Sequence, residues 1–550
     1  MTELLGIFGF LVVLLRAAIL CFQTVAIGGI FFLTVIANRA EMRSEALLTA
    51  CWKLIRRSAL ALALAQLLFV ISNSLVLTAS TDISLREVLG ANFVWAGLLA
   101  IAASLLAVFW PVSLRKSGDP IVWLPALGML AGSVMTSHSA SRMEDRAMLV
   151  GLTALHYLAT ATWIGGLPYL LFSTKAETKE ARTAITRNFS RSAQISVAIL
   201  FLAGLGMSWV YVGSVSAIWG TAYGVMLGAK ISLFLVLLLL GAANFYIVKG
   251  IDADPSGTAT KSLFRFGEAE IGIGLSIILT AASMTSQPPS VDLVQDRVTM
   301  QEIADRFGPK MPRFTSPDLK DISESTNEIR KRAEAEGKPL PASFVPGQSG
   351  IGTNTPADIA WSEYNHNCAG FVVFLMGMLA LLSRSKYFSW AKIWPLAFLL
   401  LAVFLFFRAD PENWPMGPNG FWESFAVTDV LQHRAAVVLI VIFAVFQYRV
   451  ETGRVKSMAA ALVFPAVCAL GGVVLLTHTH ALSNVKEELL AELSHTPLAI
   501  FGILAGWSRW LELRLPEENS ARKYLAWVWP VCFVFVGLIL MDYREADVRV

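Results

Sequence analysis

Long apolar runs broken by short polar loops dominate the sequence. Fourteen such runs fall at about 6–37, 57–79, 88–112, 121–137, 147–173, 193–213, 224–249, 266–286, 366–383, 388–407, 431–448, 457–478, 495–512 and 524–542. A helix crossing a bilayer needs about 20 mostly apolar residues, and only helices or closed barrels satisfy the backbone in lipid. Barrel strands would be about 10 residues long and strictly alternating. These runs are longer and apolar all round, so the expected fold is all-α: a polytopic transmembrane helical bundle of about 14 spans. The first run is too long for the core of a signal peptide and is kept as a span.

One segment breaks the pattern. Residues 287–365 carry Pro288, Pro289, Pro312, Pro317, Pro341, Pro346 and Pro356 among many charges. An amphipathic helix is expected over 319–337, with loop elsewhere. The segment divides the chain into an eight-span region (1–287), a polar loop region (288–365) and a six-span region (366–550).

Composition supports the pattern. Of 550 residues, 55% are hydrophobic and 15% charged, against roughly 25% charged in soluble domains. The net charge of +4 is small, and no nucleic-acid surface is expected. Basic residues concentrate in alternate loops, for example Arg39, Arg43, Lys53, Arg56 and Arg57 after the first run and Lys175, Lys179, Arg182, Arg187 and Arg191 after the fifth. The positive-inside rule places those loops in the cytoplasm, so both termini and the 287–365 segment are expected outside. Five cysteines, Cys21, Cys51, Cys368, Cys468 and Cys532, show no CxxC spacing and suggest neither a disulfide framework nor a zinc ribbon. No P-loop is present, so no ATP drive is encoded.

The seven histidines change the picture most. On this topology His138, His366, His433, His478, His480 and His495 lie at or near the outer ends of spans. His156 sits about nine residues into the fifth, roughly 14 Å along the helix at 1.5 Å per residue. A single histidine at a helix end is ordinarily a solvated or capping residue. The one-sided set points instead to metal binding, since imidazole is the commonest metal ligand and ionisable groups in spans are functional candidates. His478-Thr479-His480 ends the twelfth run, His495 opens the thirteenth and His433 the eleventh, so four imidazoles are expected near one surface. His156 and Trp163 share a helix face, with Gly165 and Gly166 following. Met135 and Met207 lie near the same ends, and thioether and imidazole together suit copper.

The run Leu155-His156-Tyr157-Leu158-Ala159-Thr160-Ala161-Thr162-Trp163-Ile164-Gly165-Gly166-Leu167 resembles the signature helix of the copper resistance D (CopD-like) membrane proteins. Ser137-His138-Ser139-Ala140 resembles the family's G-H-A segment, with Ser in place of Gly. Gly228-Ala229-Lys230 through Asn244, Glu270 and the Pro288-Pro289 exit are similar to the spans that follow. The second half, with Trp361 to His366, Asp410 to Gly417, Gln432-His433-Arg434, Thr477 to His480 and Ser494-His495-Thr496, resembles the C-terminal extension of longer members. The resemblance implies a copper protein of the bacterial inner membrane, not an enzyme, that takes up copper or transfers it. Outer ligands would be His478, His480, His495 and His433, with His366 or Met416, and an inward site would lie near His138 and His156. No fused β-sandwich carrier is seen, so a separate periplasmic copper carrier is an expected partner beside the lipid bilayer. The alternative is a b-type haem electron carrier using the intramembrane histidines as axial ligands. The outer clustering and the His-x-His spacing favour a surface metal site.

Overall fold

The computed structural model describes residues 2–38, 44–80, 83–111, 120–251, 257–294, 297–322, 336, 355–410, 413–424, 428–477 and 485–545. Among these the chain is helical throughout, with one isolated bridge between Asn413 and Asn419 as its only extended pairing. The principal helices are α1 (Thr2–Phe31), α2 (Glu45–Ser80), α3 (Asn92–Val108), α4 (Trp123–Met135), α5 (Arg146–Trp163), α6 (Leu167–Ala176), α7 (Lys179–Val212), α8 (Ala222–Lys249), α9 (Thr258–Met284), α10 (Pro356–Leu382), α11 (Ala397–Arg408), α12 (Thr428–Glu451), α13 (Val463–Thr477), α14 (Val485–Arg514) and α15 (Ala521–Met541).

Eleven helical segments are long and apolar enough to cross a membrane, and they coincide with eleven of the fourteen expected runs. The expected third and fourth spans are shorter apolar helices, Asn92–Val108 and Pro120–Met135. The expected thirteenth lies inside α14, whose 30 residues include Glu492, Arg509 and Glu512. These three are buried within the protein, so their charges are not presented to lipid. The protein is an all-α, multi-pass membrane protein.

Lipid supplies no hydrophobic drive between helices, so close packing must hold the bundle. Small residues provide it. In the α10–α15 pair a Cβ on Gly537 would lie 2.4 Å from the Phe374 backbone nitrogen, and one on Gly370 would lie 2.6 Å from that of Met541. The backbones therefore touch directly.

The regions before and after the polar segment meet through α9 and α14. The Trp507 ring lies on Gly272, where a Cβ would fall 1.6 Å from the ring. Beside it, Glu268 accepts from Arg514 at 2.6 Å and from the Trp510 indole at 3.0 Å.

In the 287–365 segment the structure shows a short helix, Met300–Phe307, that the sequence pattern does not signal. Its Thr299/Glu302 capping box satisfies the first-turn backbone N–H groups. At the expected 319–337 helix only a single tight turn, Leu319–Asp321, falls among the described residues, and 323–335 lie outside them.

Candidate functional site

Cross-links gather the polar loops at one end of the bundle. Arg142 meets Asp292 at 3.4 Å, the Arg313 amide donates to Asn367 at 2.6 Å, Arg408 donates to Ser316, and Arg544 donates to the Met311 carbonyl at 3.0 Å. His138, His366, His433 and His495 belong to this end. His156 lies ten residues beyond the start of α5, about 15 Å along the axis. His478 and His480 lie outside the described residues.

His366 and His495 converge on one side chain, Tyr543, just past α15. The His366 imidazole stacks on the phenol ring at 3.9 Å between centroids, and His495 meets the same ring edge-on at 6.3 Å. His366 Nδ1 lies 2.8 Å from the Ser362 carbonyl. A carbonyl only accepts, so Nδ1 carries the proton and Nε2 the lone pair. The Tyr543 hydroxyl donates to Glu545 at 2.9 Å, and the Arg306 guanidinium lies 5.9 Å from the ring centroid. Burial, then the Glu545 charge, pushes the phenol's pKa up, so Tyr543 is a neutral platform at physiological pH.

Asn367 holds this arrangement. It is fully buried, its Oδ1 accepts from the Arg313 amide and Arg544 Nη1, and its Nδ2 donates to the Leu540 and Tyr543 carbonyls.

His433 has a second arrangement of the same kind. Its Nδ1 is 2.7 Å from Asp410 Oδ1. The Asp410 side chain is 9% exposed and its other oxygen is buried without a hydrogen bond, whereas His433 is 44% exposed. A carboxylate holding Nδ1–H and leaving Nε2 as the lone-pair nitrogen is the usual support behind a metal-ligating histidine. The neighbouring Arg434 grips the 413–419 turn by donating to the Trp414 carbonyl at 2.5 Å. Met416, 45% exposed, rides on that turn.

His138 stands between two cavities of about 440 and 430 Å³. One is lined by Arg142, Met143, Glu144 and Asp292, the other by Arg16, Asn73, Asn92 and Met135. The ring bonds to the Thr285 backbone, and its Nε2 is buried with no hydrogen-bond partner. Burial first, then the Arg16 charge, lowers its pKa below 6.5.

His156 lies inside the bundle, its Nδ1 buried without a hydrogen bond. Seven residues on, Trp163 ends α5, and Ile164–Gly166 break the helix before α6. Gly165 permits the break to press on α1: a Cβ there would lie 2.0 Å from the Thr24 carbonyl oxygen. Neighbouring α8 brings Lys230 near His156 and Phe234 to the Trp163 ring. Glu270 on α9 adjoins Trp163. Trp163 Nε1 donates to its Oε2 at 3.4 Å and Asn244 Nδ2 to its Oε1 at 2.7 Å.

The described residues thus bring His366 with His495, and His433 with Asp410. They form no group of three or more His, Cys, Asp or Glu side chains able to hold a metal. Two of the four imidazoles expected to meet, His478 and His480, fall outside them. Sequence reasoning missed Tyr543, whose phenol carries no metal-ligand signature and lies far along the chain. It also left Asp410 without a partner.

Comparison with known proteins places part of the chain. Residues 183–284, covering most of α7 with α8 and α9, match the family of Copper resistance protein D. Copper transport protein CutJ of Bacillus subtilis (strain 168) is 27% identical over 165 residues, which are 29% of this chain and 29% of that protein. The match therefore spans less than a third of the relative's length. No solved structure matches.

Proposed function

We propose that this chain, CopD-like over residues 183–284, is a copper-handling membrane protein that captures the ion on the histidines of one end and passes it inward past His156. The observation that carries this reading is the seating shared by His366 and His433. In both, Nδ1 lies within hydrogen-bond distance of a fixed acceptor, a carbonyl or a carboxylate, the kind of support that orients a metal-ligating histidine. Imidazole and thioether suit copper, so Met416 and the His478–His480 pair belong to the same capturing set. His138 and His156 follow inward. The basic loops at the opposite end orient the histidine end outward across a bacterial inner membrane, with both termini outside. The eight-span and six-span regions then act together, with 288–365 over their outer face. A periplasmic copper carrier is the fitting donor. Ligand exchange from site to site spares the cation a bare passage through lipid.

Bound metal measured on purified protein after loading with Cu(I) and with Cu(II) tests capture. The double variant His366→Ala/His433→Ala loses bound copper, and unchanged content would discard these ligands. Copper uptake into proteoliposomes falls in His156→Ala if the ion passes this histidine. A Soret band at stoichiometric intensity would replace copper by haem.

A further inference from the structure

Glu270 sits near the middle of α9, twelve residues from its start and fourteen from its end. Only 2% of it is exposed, as is Trp163, and Asn244 is nearly as buried. Among the described residues its two oxygens receive one hydrogen bond each, both from neutral donors, and it takes part in no ion pair. The charged groups around it are engaged elsewhere or remote. Arg514 of α14 and Arg265 of α9 are bound to Glu268, two residues away and so on another side of the helix. Lys230 of α8 is fourteen residues from Asn244, about 21 Å along that helix. His156 of α5 is seven residues from Trp163, about 10 Å away along the axis. From α1, α6 and α13 no hydrogen bond or ion pair reaches the carboxyl. An ionised carboxylate in such a place lacks the cation that would offset its loss of water.

A second observation points the same way. Asn244 Oδ1 is buried and makes no hydrogen bond, although Nδ2 of the same amide holds Glu270. Which amide atom faces the carboxyl is an assignment that the hydrogen-bond network decides. Rotated by half a turn, the amide offers Oδ1 to a proton on Glu270 Oε1. The amide thus serves either protonation state of the carboxyl. The backbone beside it is not crowded: a Cβ on Gly241 would make ordinary contact with Trp163 at 3.4 Å and with Glu270 Oε1 at 4.0 Å.

We propose that Glu270 is an intramembrane proton-binding site, held by Asn244 and Trp163, through which passage of the cation is exchanged for a proton. The exchange rests on the copper-handling reading. When a monovalent copper ion advances inward from His156, the Glu270 carboxylic acid releases its proton to the outer side and the carboxylate compensates the arriving charge. When the ion leaves to the inner side, a proton taken from that side returns to the carboxylate. One proton thus moves against each Cu(I), and no net charge crosses. The Trp163-Ile164-Gly165-Gly166 break fixes the indole that grips Glu270.

Two measurements on the full chain in lipid decide this. Infrared difference spectroscopy at neutral pH reads the carbonyl stretch of a buried carboxylic acid. The band is expected in the wild type, absent in Glu270→Gln, and displaced in Asn244→Ala, which removes a hydrogen bond from it. Glu270→Asp, one methylene shorter, keeps an acid band and guards against a misfolded Gln variant. A wild type with no such band, or a band indifferent to all three substitutions, overturns the proton site. In proteoliposomes with a trapped pH dye, Cu(I) entry drives about one proton out per ion, and Glu270→Gln abolishes that counterflow and the dependence of uptake on pH. Wild-type uptake without counterflow overturns the exchange. A wild type that takes up no copper sinks the copper reading and the exchange with it, while the infrared band still decides whether Glu270 holds a proton.

Discussion

Replacing Asn367 by Leu, a side chain of similar size, should loosen the histidine end by an amount that follows from its hydrogen bonds. Four are lost. The Leu540 carbonyl still accepts from the Tyr543 amide at 3.3 Å, and the Tyr543 carbonyl and Arg544 Nη1 still have each other at 2.7 Å. These three lost bonds therefore cost about 0.5 kcal/mol each, the low end for an intramolecular hydrogen bond. Among the described residues the Arg313 amide has no other partner than Asn367 Oδ1, but Arg313 is exposed, so water can take the place of that oxygen and this bond costs about 0.5–1.5 kcal/mol. The total is about 2–3 kcal/mol. Denaturant unfolding in detergent, followed by tryptophan fluorescence, should show it, and protease should cut more readily between residues 308 and 316. The variant should also weaken copper at His366 and His495, because Tyr543 loses one of the bonds that seat it, and spare the His433 site. A denaturation midpoint equal to that of the wild type would refute the reasoning, since it would mean that the four bonds are not made or that water replaces them at no cost.

Three further substitutions test other links. Asp410→Ala frees the His433 ring to rotate and to change tautomer, so copper affinity at that site should drop about 10–100-fold in a competition titration; an unchanged affinity would show that the carboxylate does not support a ligand. Gly165→Val puts a side chain where even a Cβ lies 2.0 Å from the Thr24 carbonyl, so α1 and α5 cannot close, and the purified protein should lose its monodisperse elution peak, which it keeps if the helices can part. His138, with its pKa held below 6.5 by burial and Arg16, binds fewer protons folded than unfolded. Its share of stability is therefore complete above pH 6.5 and is lost as pH falls from 6.5 toward the folded value. A chemical-shift titration should give a midpoint below 6.5, and one at or above it contradicts the burial argument.

The spans were legible because their cause is one-dimensional. A stretch such as 224–249 is apolar all round whatever it packs against, so hydropathy alone locates α8. Where helices carry charge or are short, the same reading weakens. The thirteenth expected span marks only the second half of α14, because Glu492 and Ser494 of the first half are buried polar residues that look like loop in a hydropathy scan. The helix Met300–Phe307 escaped because eight residues with a Thr299/Glu302 cap leave little apolar periodicity to detect.

The polar chemistry was legible only in part, and the reason is pairing. That histidines gather at one end follows from their order along alternating spans, so it needs no contact to be known. What each histidine does depends on the atom that holds its Nδ1, and that atom comes from four residues away for His366 and from twenty-three for His433. Tyr543 is farther still from both histidines that it meets. Glu270 shows the point most clearly. In the sequence it is an acid two residues from Glu268 on an apolar helix, and only the family resemblance marks it; spacing and composition do not distinguish the two. In the fold Glu268 receives Arg265, Arg514 and Trp510, whereas Glu270 receives an indole and an amide. A carboxylate among cations is a structural clasp, and a carboxyl among neutral donors is free to take and give a proton. The difference lies wholly in which neighbours α5, α8 and α14 present, and those were set by packing, not by any motif around residue 270.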